Sequence, residues 1–312
     1  GMLLHGEGYM FEAGKSPALP GVQIAAEDYR RLARLAKIGE APTLEIDSVT
    51  HYDDSDPNAY NIFAEIPGTD PRAGFVMAGA HLDSWVAGDG ATDNAAGSAM
   101  IMEAARILAT LGVRPKRTIR FALWSGEEQA LLGSLAWVEK NLATRGGPND
   151  PPLTGERRYY EWPKRWPINR QPGYDALAAY FNIDNGSGKL RGIYAENNPA
   201  AAKIFEGWMG PFHSMGMTQV AVAPTEGTDH VFMQAVGTPG FQFIQDPLDY
   251  ETRTHHSSAD TYDHLKGDDM RQGATILASF LLNAADAEKP LPRPPLPTKP
   301  AVTDPFAYPE NN

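Results

Sequence analysis

The sequence predicts an α/β protein in which a mainly parallel, mixed central sheet carries helices on both faces. Segments with strand character alternate along the chain with segments whose apolar residues recur at helical spacing, as in sheets built with helical crossovers. Some strand segments are apolar throughout, as in "GFVMAGA", and such runs indicate strands covered on both faces. With 312 residues, 42% of them hydrophobic, the chain is long enough to bury a sizeable core.

The first elements precede this alternation. Residues 1 to about 45 contain a short β-like run and then a helix with apolar Leu32 and Leu35, which we expect to end at Gly39. Two strands are predicted next, joined by an Asp-rich turn; they are "TLEIDSVTHY" and "NAYNIFAEIPG".

The following elements repeat a strand, a loop and a helix. The predicted strands are "GFVMAGA", "TIRFALWS", "LAAYFNID" and "GFQFIQ". The predicted helices are "NAAGSAMIMEAARILATLG" (closed by Gly112), "LLGSLAWVEKNL", "PAAAKIFEGWMG" and "ATILASFLLNAADAE". A Pro/Arg/Trp-rich insertion from about 146 to 172 is expected to be irregular. Residues 289–312 form a Pro-rich extended tail, because proline lacks the N–H that a helix needs.

The composition excludes several classes of protein. The chain has 27 Lys plus Arg against 39 Asp plus Glu, and this net charge of −12 argues against nucleic-acid and anionic-membrane partners. It has no cysteine, so disulfides, thiolate ligands and cysteine nucleophiles are excluded. No apolar run approaches the roughly 20 residues of a membrane span, and the N-terminus has no signal-peptide pattern.

Metal-binding side chains follow the ends of the predicted strands. In open α/β sheets, functional groups gather in the loops beyond the carboxyl ends of strands. These loops carry His81, Asp83, Asp93, Glu127, Glu128, Asp184, His255 and His256. Imidazoles and carboxylates without thiols suit Zn²⁺ or a similar divalent ion. The set is too large for one tetrahedral site, but it fits two ions that share a bridging carboxylate.

Some of these residues have more than one interpretation. Glu127 and Glu128 are adjacent, so one can bind metal while the other accepts a proton, or both can be acids at a helix N-terminus. Asp83 can accept the second N–H of His81, or it can cap a turn. No G-x-S-x-G or H-E-x-x-H motif is present, so the sequence has neither of these common hydrolase signatures.

The motifs together resemble a known family. The segments "AHLDSW", "GATDNAAG", "WSGEEQALLGS", "NIDNGSG" and "THHSSADT" are similar to the successive metal motifs of co-catalytic zinc exopeptidases, which include double-zinc aminopeptidases and glutamate carboxypeptidases. "HLDSW" and the doubled His most resemble the plasma glutamate carboxypeptidase branch. The resemblance implies a zinc exopeptidase-like (phosphorylase/hydrolase-like) fold, two Zn²⁺ per chain and a small peptide substrate.

The resemblance also implies roles for single residues. It assigns five metal ligands, namely Asp93 as the bridge, His81 with Asp184, and Glu128 with His256. Glu127 would be the general base, and the peptide bond after the bridging Asp, here Asp93–Asn94, would be cis. His255 would donate to the oxyanion or only pack. Asp229, His230 and Phe232 resemble a stretch that borders the substrate pocket, although a turn, a helix start and the core are their alternative roles.

The resemblance suggests how the chain is divided and where it acts. Residues 1–50 would be the end of an inserted protease-associated region, residues 51–288 the catalytic domain and residues 289–312 the tail. Relatives of this branch are usually exported, so a secreted or periplasmic protein is expected, and a homodimer is compatible with these features. Two other functions stay open: a single-zinc, glutaminyl-cyclase-like aminoacyltransferase, and a non-catalytic receptor-like domain on the same scaffold.

Overall fold

A seven-stranded mixed sheet forms the centre of the computed structural model, which describes residues 24–47, 49, 55–56, 58–85, 88–155, 157–294 and 296. The strands are β1 (Ile62–Ile66), β2 (Phe75–His81), β3 (Thr118–Trp124), β4 (Ala143–Arg145), β5 (Ile168–Arg170), β6 (Leu177–Asn182), β7 (Leu190–Tyr194), β8 (Gln219–Ala221) and β9 (Gly240–Gln245). The helices are α1 (Ala26–Lys37), α2 (Ala96–Thr110), α3 (Leu132–Asn141), α4 (Arg157–Glu161), α5 (Pro199–Met209), α6 (His230–Ala235) and α7 (Gly267–Asp286).

The central strands run parallel, as predicted. The order across the sheet is β1-β3-β2-β6-β9-β7-β8, and β3, β2, β6 and β9 are parallel to their neighbours within this group. The antiparallel pairs lie toward the edges, between β1 and β3 and between β9 and β7. Strands β4 and β5 form a separate two-stranded antiparallel sheet.

Helices cover both faces of the sheet, and β2 shows why its sequence is apolar throughout. Val76, Ala78 and Ala80 point into a core that α2, α5 and α7 complete, while Met77 points into a second core with α3 and α6. All four side chains are fully buried. Since burial of a Val or Met side chain contributes about 1.5–3 kcal/mol, both faces of this strand stabilise the fold.

The helix ends at Gly39 and Gly112 agree with the sequence prediction, since both glycines adopt positive φ just after α1 and α2. Helix α1 buries none of its residues. The strand predicted over "TLEIDSVTHY" is wrong for residues 43–47 and 49, which form no strand, and its other residues lie outside the described part of the chain. Leu44 and Ile46 are half-exposed there, so this segment buries no apolar face that would hold it against a sheet.

Other differences concern short elements. Strands β7 and β8 are absent from the prediction, and the insertion over 146–172 contains α4 and β5 instead of irregular chain alone. The beginning of the Pro-rich tail docks on the sheet: Leu291 N–H donates to Ala178 O at 3.1 Å, and Arg293 donates to Leu177 O at 2.9 Å. Within the described residues, no helix combines the length and apolar character needed to cross a membrane.

Candidate metal centre

His81 and Asp93 meet at the carboxyl end of β2. His81 is the last residue of the strand, and the loop after it returns Asp93 so that its Oδ1 lies 3.1 Å from His81 Nε2. Asp184, just beyond β6, places its Oδ1 3.3 Å from the same nitrogen. Because β2 and β6 are parallel neighbours, their ends bring these three side chains to one point.

A second His–carboxylate pair faces the other oxygen of Asp93. His256 Nε2 lies 3.3 Å from Asp93 Oδ2 and 3.1 Å from Glu128 Oε2. Glu128 follows β3, whereas His256 lies in the segment between β9 and α7. Each oxygen of Asp93 therefore faces a different pair, so the structure brings together all five residues that the resemblance assigns as ligands.

The loop between β2 and α2 holds Asp93 by close backbone packing. The Asp93–Asn94 peptide bond is cis, which confirms the sequence prediction. A Cβ atom added at Gly90 would collide with Ser84, and one added at Gly97 would collide with Asn94. The small residues of "GDGATDNAAG" are therefore required where the loop folds back on itself.

Asp260 is a residue of this site that sequence reasoning missed. One carboxylate oxygen accepts from Thr92 N–H and Thr92 Oγ1–H, both at 2.7 Å, and the other accepts from Asp93 N–H at 3.0 Å. Asp260 is 3% exposed. It therefore holds the backbone of Asp93, and its position four residues after His256 in "HHSSADT" was the only signal for it.

Asp83 supports the site through different atoms from those expected. The acceptor for His81 Nδ1–H is the Asp83 main-chain oxygen, at 2.8 Å, while its carboxylate lies 3.8 Å from that nitrogen. The carboxylate instead accepts from the main-chain N–H groups of Glu127 and Glu128, at 3.1 and 3.2 Å. The predicted carboxylate–imidazole contact is thus corrected, because these two N–H groups just beyond β3 take up both carboxylate oxygens.

Buried carboxylates and imidazoles shift one another's pKa values in this site. Burial raises the pKa of Glu127 well above its usual value, although His81 acts in the opposite direction. Burial lowers the pKa of His81, yet the carboxylates of Asp184 and Glu127 raise it overall. For His256, burial is likewise outweighed by hydrogen bonds to Asp93 and Glu128, which raise its pKa to about 9. Buried carboxylates thus dominate the electrostatics of this edge of the sheet.

The donor atoms of these residues fit divalent metal ions. Glu128 Oε1 is buried and accepts no hydrogen bond, while Asp93 Oδ2 and Asp184 Oδ1 are buried and each lies 3.3 Å from an imidazole Nε2. Among the described residues, three groups have ligand atoms that all lie within 4.8 Å of one another, namely Asp93–His255–His256, His81–Asp93–Glu128 and His81–Glu127–Asp184. Imidazole and carboxylate donors of this kind suit Zn²⁺. Glu127 Oε2 lies 4.0 Å from His81 Nε2, farther than the Asp93 and Asp184 oxygens that face the same nitrogen.

A cavity of about 270 Å³ opens beside the metal centre. Asp93, Glu127 and Asp184 lie at its inner end, and His255 and His256 form part of its wall. The His255 ring stacks on His256 at 3.8 Å and on Tyr250 at 4.7 Å between ring centroids. Its side chain is 40% exposed, so His255 both packs and faces the cavity.

The residues predicted to contact the substrate are buried in the protein interior and do not line this cavity. Asp229, His230 and Phe232 are fully buried, and the segment that lines the cavity is the preceding one, residues 226–228. His230 Nε2 lies 3.3 Å from Glu196 Oε1, and the Phe232 ring packs edge-on against Trp162. Burial raises the pKa of Asp229 to about 7. The prediction is corrected because helix α6 begins here and turns these side chains into the protein.

Comparison with known proteins agrees with this geometry. Residues 61–281 match the model of peptidase family M28. Carboxypeptidase Q of Bos taurus is 30% identical over 278 residues, which are 89% of this chain and 52% of that protein. The human carboxypeptidase Q is 29% identical over the same length. The chain therefore spans about half the length of the curated relatives that it matches.

Solved structures show the same fold. A peptidase M28 precursor from Shewanella amazonensis SB2B has a TM-score of 0.60 and 26% identity, and covers 76% of this chain and 47% of its own. BSAP, a zinc aminopeptidase from Bacillus subtilis, has a TM-score of 0.55 and 21% identity, with coverage of 73% and 51%. Because the family model matches more than half of its residues, the chain belongs to peptidase family M28.

Proposed function

We propose that this chain is a zinc-dependent exopeptidase that removes the N-terminal residue of short peptides. One observation carries the proposal: the two oxygens of Asp93 face separate His–carboxylate pairs, His81 with Asp184 and His256 with Glu128. This arrangement suits a carboxylate that bridges two ions. Membership of family M28 and the similarity to carboxypeptidase Q support peptide hydrolysis.

The protein side chains supply the proton transfers. Divalent ions held here would add Lewis acidity toward the scissile carbonyl and lower the pKa of a water molecule. Glu127 is buried at the inner end of the cavity, and its raised pKa makes it a stronger base than an exposed carboxylate. It would accept a proton from the attacking water and donate it to the leaving amine. His255, on the cavity wall, would donate a hydrogen bond to the carbonyl oxygen.

The charges around the cavity favour a free amine as the recognised end of the substrate. Glu226 and Glu251 are exposed and line the cavity, whereas none of the described residues that line it is Lys or Arg. Carboxylates attract an ammonium group and repel a terminal carboxylate. The similarity to bovine carboxypeptidase Q favours the opposite end of the peptide, so a carboxypeptidase is the second candidate.

Three related tripeptides separate these candidates. Metal-free protein is titrated with Zn²⁺ and assayed with Ala-Ala-Ala, its N-acetyl form and its C-terminal amide. We expect hydrolysis of the free and amidated peptides, loss of hydrolysis on acetylation, and full activity at two zinc ions per chain. Cleavage of the acetylated peptide with loss on amidation would instead identify a carboxypeptidase. Full activity with one ion would contradict the bridged centre. No hydrolysis of any tripeptide at any zinc concentration would favour a non-catalytic protein.

A further inference from the structure

A buried carboxylate contacts the segment that carries the wall of the cavity. Glu196 follows β7, and its side chain is 2% exposed. Its Oε2 accepts a hydrogen bond from Thr225 N–H at 3.0 Å, and its Oε1 lies 3.3 Å from His230 Nε2. Burial of a carboxylate is unfavourable unless partners of this kind compensate for the lost water. Glu196 therefore contacts residues 225–230 at both ends.

The segment between these two contacts carries Glu226 to the cavity. Glu226 lines the cavity and is exposed to solvent. The residues on either side of it, Thr225 and Gly227, donate their main-chain N–H groups to side chains from other parts of the chain. The acceptors are the Glu196 carboxylate and, at 3.1 Å, the Tyr159 hydroxyl. Contacts from distant side chains therefore hold the backbone that places Glu226.

The backbone at Glu196 adopts a conformation that glycine would adopt more easily. Glu196 has a φ of 54°, and Asn197 has a φ of 55°. This left-handed region is unfavourable for a residue with a Cβ atom, and glycine is its usual occupant. A glycine would remove the strain, but it would also remove the carboxylate. The presence of Glu at this position therefore favours a specific use of its side chain.

Glu196 lies away from the metal centre. Strand β7 is antiparallel to β9, so the residues after β7 lie toward the amino end of β9. The proposed metal ligands lie at or beyond the carboxyl ends of β2, β3, β6 and β9. A substitution at Glu196 can therefore move Glu226 without removing a contact to a metal ligand.

We propose that Glu196 is a positioning residue that holds the Glu226 carboxylate where the free amine of the substrate binds. This inference rests on the proposed recognition of the free amine by the carboxylates of the cavity. The attraction between an ammonium group and a carboxylate falls with distance, so Glu226 must be held close to the amine. Glu196 does this by contacting Thr225 before Glu226 and His230 after it.

Calorimetry with an uncleavable substrate analogue tests the proposal without requiring turnover. The ligand is the ketomethylene analogue of Ala-Ala, in which CH₂ replaces the peptide N–H, and it is compared with its N-acetyl form on the zinc-loaded protein. The ratio of the two affinities measures the preference for a free amine. We expect a preference of at least about 10-fold, since an ammonium–carboxylate contact near a protein surface is worth about that much or more.

Substitutions of Glu196 should change this ratio through Glu226. Glu196→Ala should lose most of the preference, as Glu226→Gln should. In the double variant Glu196→Ala/Glu226→Gln, the Glu196 substitution should have no further effect, because both act on the same contact. Glu196→Gln keeps the side-chain length and an acceptor for Thr225 N–H, so it should retain most of the preference. Glu206→Ala, exposed on α5, is the matched control. Zinc affinity should stay that of the parent in all of these variants.

The outcomes distinguish this inference from the proposed function. Glu196→Asp keeps the charge but is one methylene shorter, so it provides the same test if Glu196→Ala does not fold. An equal loss of affinity for both analogues, or additive losses in the double variant, would overturn the positioning role. A free-amine preference that persists in Glu196→Ala and Glu196→Asp would leave the proposed function standing alone. No preference in the parent protein would reject recognition of the amine, and this inference with it.

Discussion

At the scale of single residues, Glu127 and Glu128 are sequence neighbours with different surroundings. Glu128 Oε2 lies 3.1 Å from His256 Nε2, whereas Glu127 Oε2 lies 4.0 Å from His81 Nε2 at the inner end of the cavity. The Asp83 carboxylate accepts from the main-chain N–H groups of both residues, so the backbone between them is held in one conformation. The different environments of the two side chains favour Glu127 as the base and Glu128 as a metal ligand.

Substitution by Gln separates these roles. Glu127→Gln should lower kcat by about 100-fold to 10,000-fold, as expected for loss of a general base, with two zinc ions still bound. Glu128→Gln should lower zinc affinity before it lowers kcat at saturating zinc. Zinc titration and steady-state kinetics measure both effects. Glu65→Gln is the control, since Glu65 only pairs with Arg120 on the surface. Normal kcat in Glu127→Gln would remove Glu127 from the mechanism.

Asp260 acts on the metal centre through the backbone of Thr92 and Asp93. In Asp260→Asn, one acceptor oxygen becomes an NH₂ group that faces an N–H donor, so the bridging carboxylate should lose its orientation. We expect zinc affinity to fall about 10-fold to 100-fold, the usual effect of removing the support of a ligand. Competition with a chromogenic chelator measures this. Asp263→Asn is the control, because Asp263 is exposed and accepts from Thr261. Unchanged zinc affinity in Asp260→Asn would contradict this role.

At the scale of elements, the start of α2 is packed against the end of β6. Gly97 N–H donates to Asn94 Oδ1 at 3.0 Å, and Asn94 Nδ2 donates to Ile183 O at 2.8 Å. A Cβ atom at Gly97 would lie 2.5 Å from Ile183 O. The helix therefore approaches the sheet so closely here that only glycine fits, and this approach determines where the preceding Asp93 lies.

Two Gly→Ala substitutions test this packing. Gly97→Ala should destabilise the protein by about 1–3 kcal/mol through overpacking and should weaken zinc binding. Gly207→Ala, on exposed helix α5 surface with no atom within 4 Å of the new Cβ, should stabilise it by about 0.5–1 kcal/mol. Denaturant unfolding measures both changes. A Gly97→Ala protein as stable as the parent would show that α2 can move away from the sheet without consequence.

At the scale of the whole molecule, the metal centre joins distant parts of the chain. The five proposed ligands lie at or beyond the carboxyl ends of β2, β3, β6 and β9, which are the four central strands of the sheet. Their buried carboxylates repel one another in the absence of a cation. Bound ions would therefore act as links between strands as well as chemical groups.

Zinc should accordingly raise the thermal stability of the chain. Free zinc at about 100 times its Kd adds about 2.7 kcal/mol to the free energy of unfolding for one site, if zinc binds only the folded state. For a domain of this size that corresponds to a rise in Tm of about 5 °C or more, reversed by chelation. Calorimetric scans with and without chelator measure the rise. The same rise in a His81→Ala/Asp93→Ala double variant would mean that zinc stabilises the protein at another place.

Much of this architecture could be predicted because hydropathy along the chain is a local property. The apolar run of β2 and the helical spacing of α2 and α7 show which faces of these elements are buried. Each segment shows this in its own residues. The carboxyl ends of parallel strands share one edge, so His81, Asp93 and Asp184 could be expected at the same edge of the sheet from the predicted strands alone. Strands β7 and β8 were missed because they are short and mix polar residues with apolar ones.

The tertiary structure decided which atom contacts which. Asp83 was expected to use its carboxylate and uses its carbonyl oxygen toward His81, because two N–H groups from the β3 loop occupy the carboxylate. Asp229 was placed at the substrate by resemblance and is buried by the start of α6. Asp260 reaches Asp93 across 167 positions of sequence. Such contacts depend on the packing of segments that are far apart in the chain, and no local pattern contains that information.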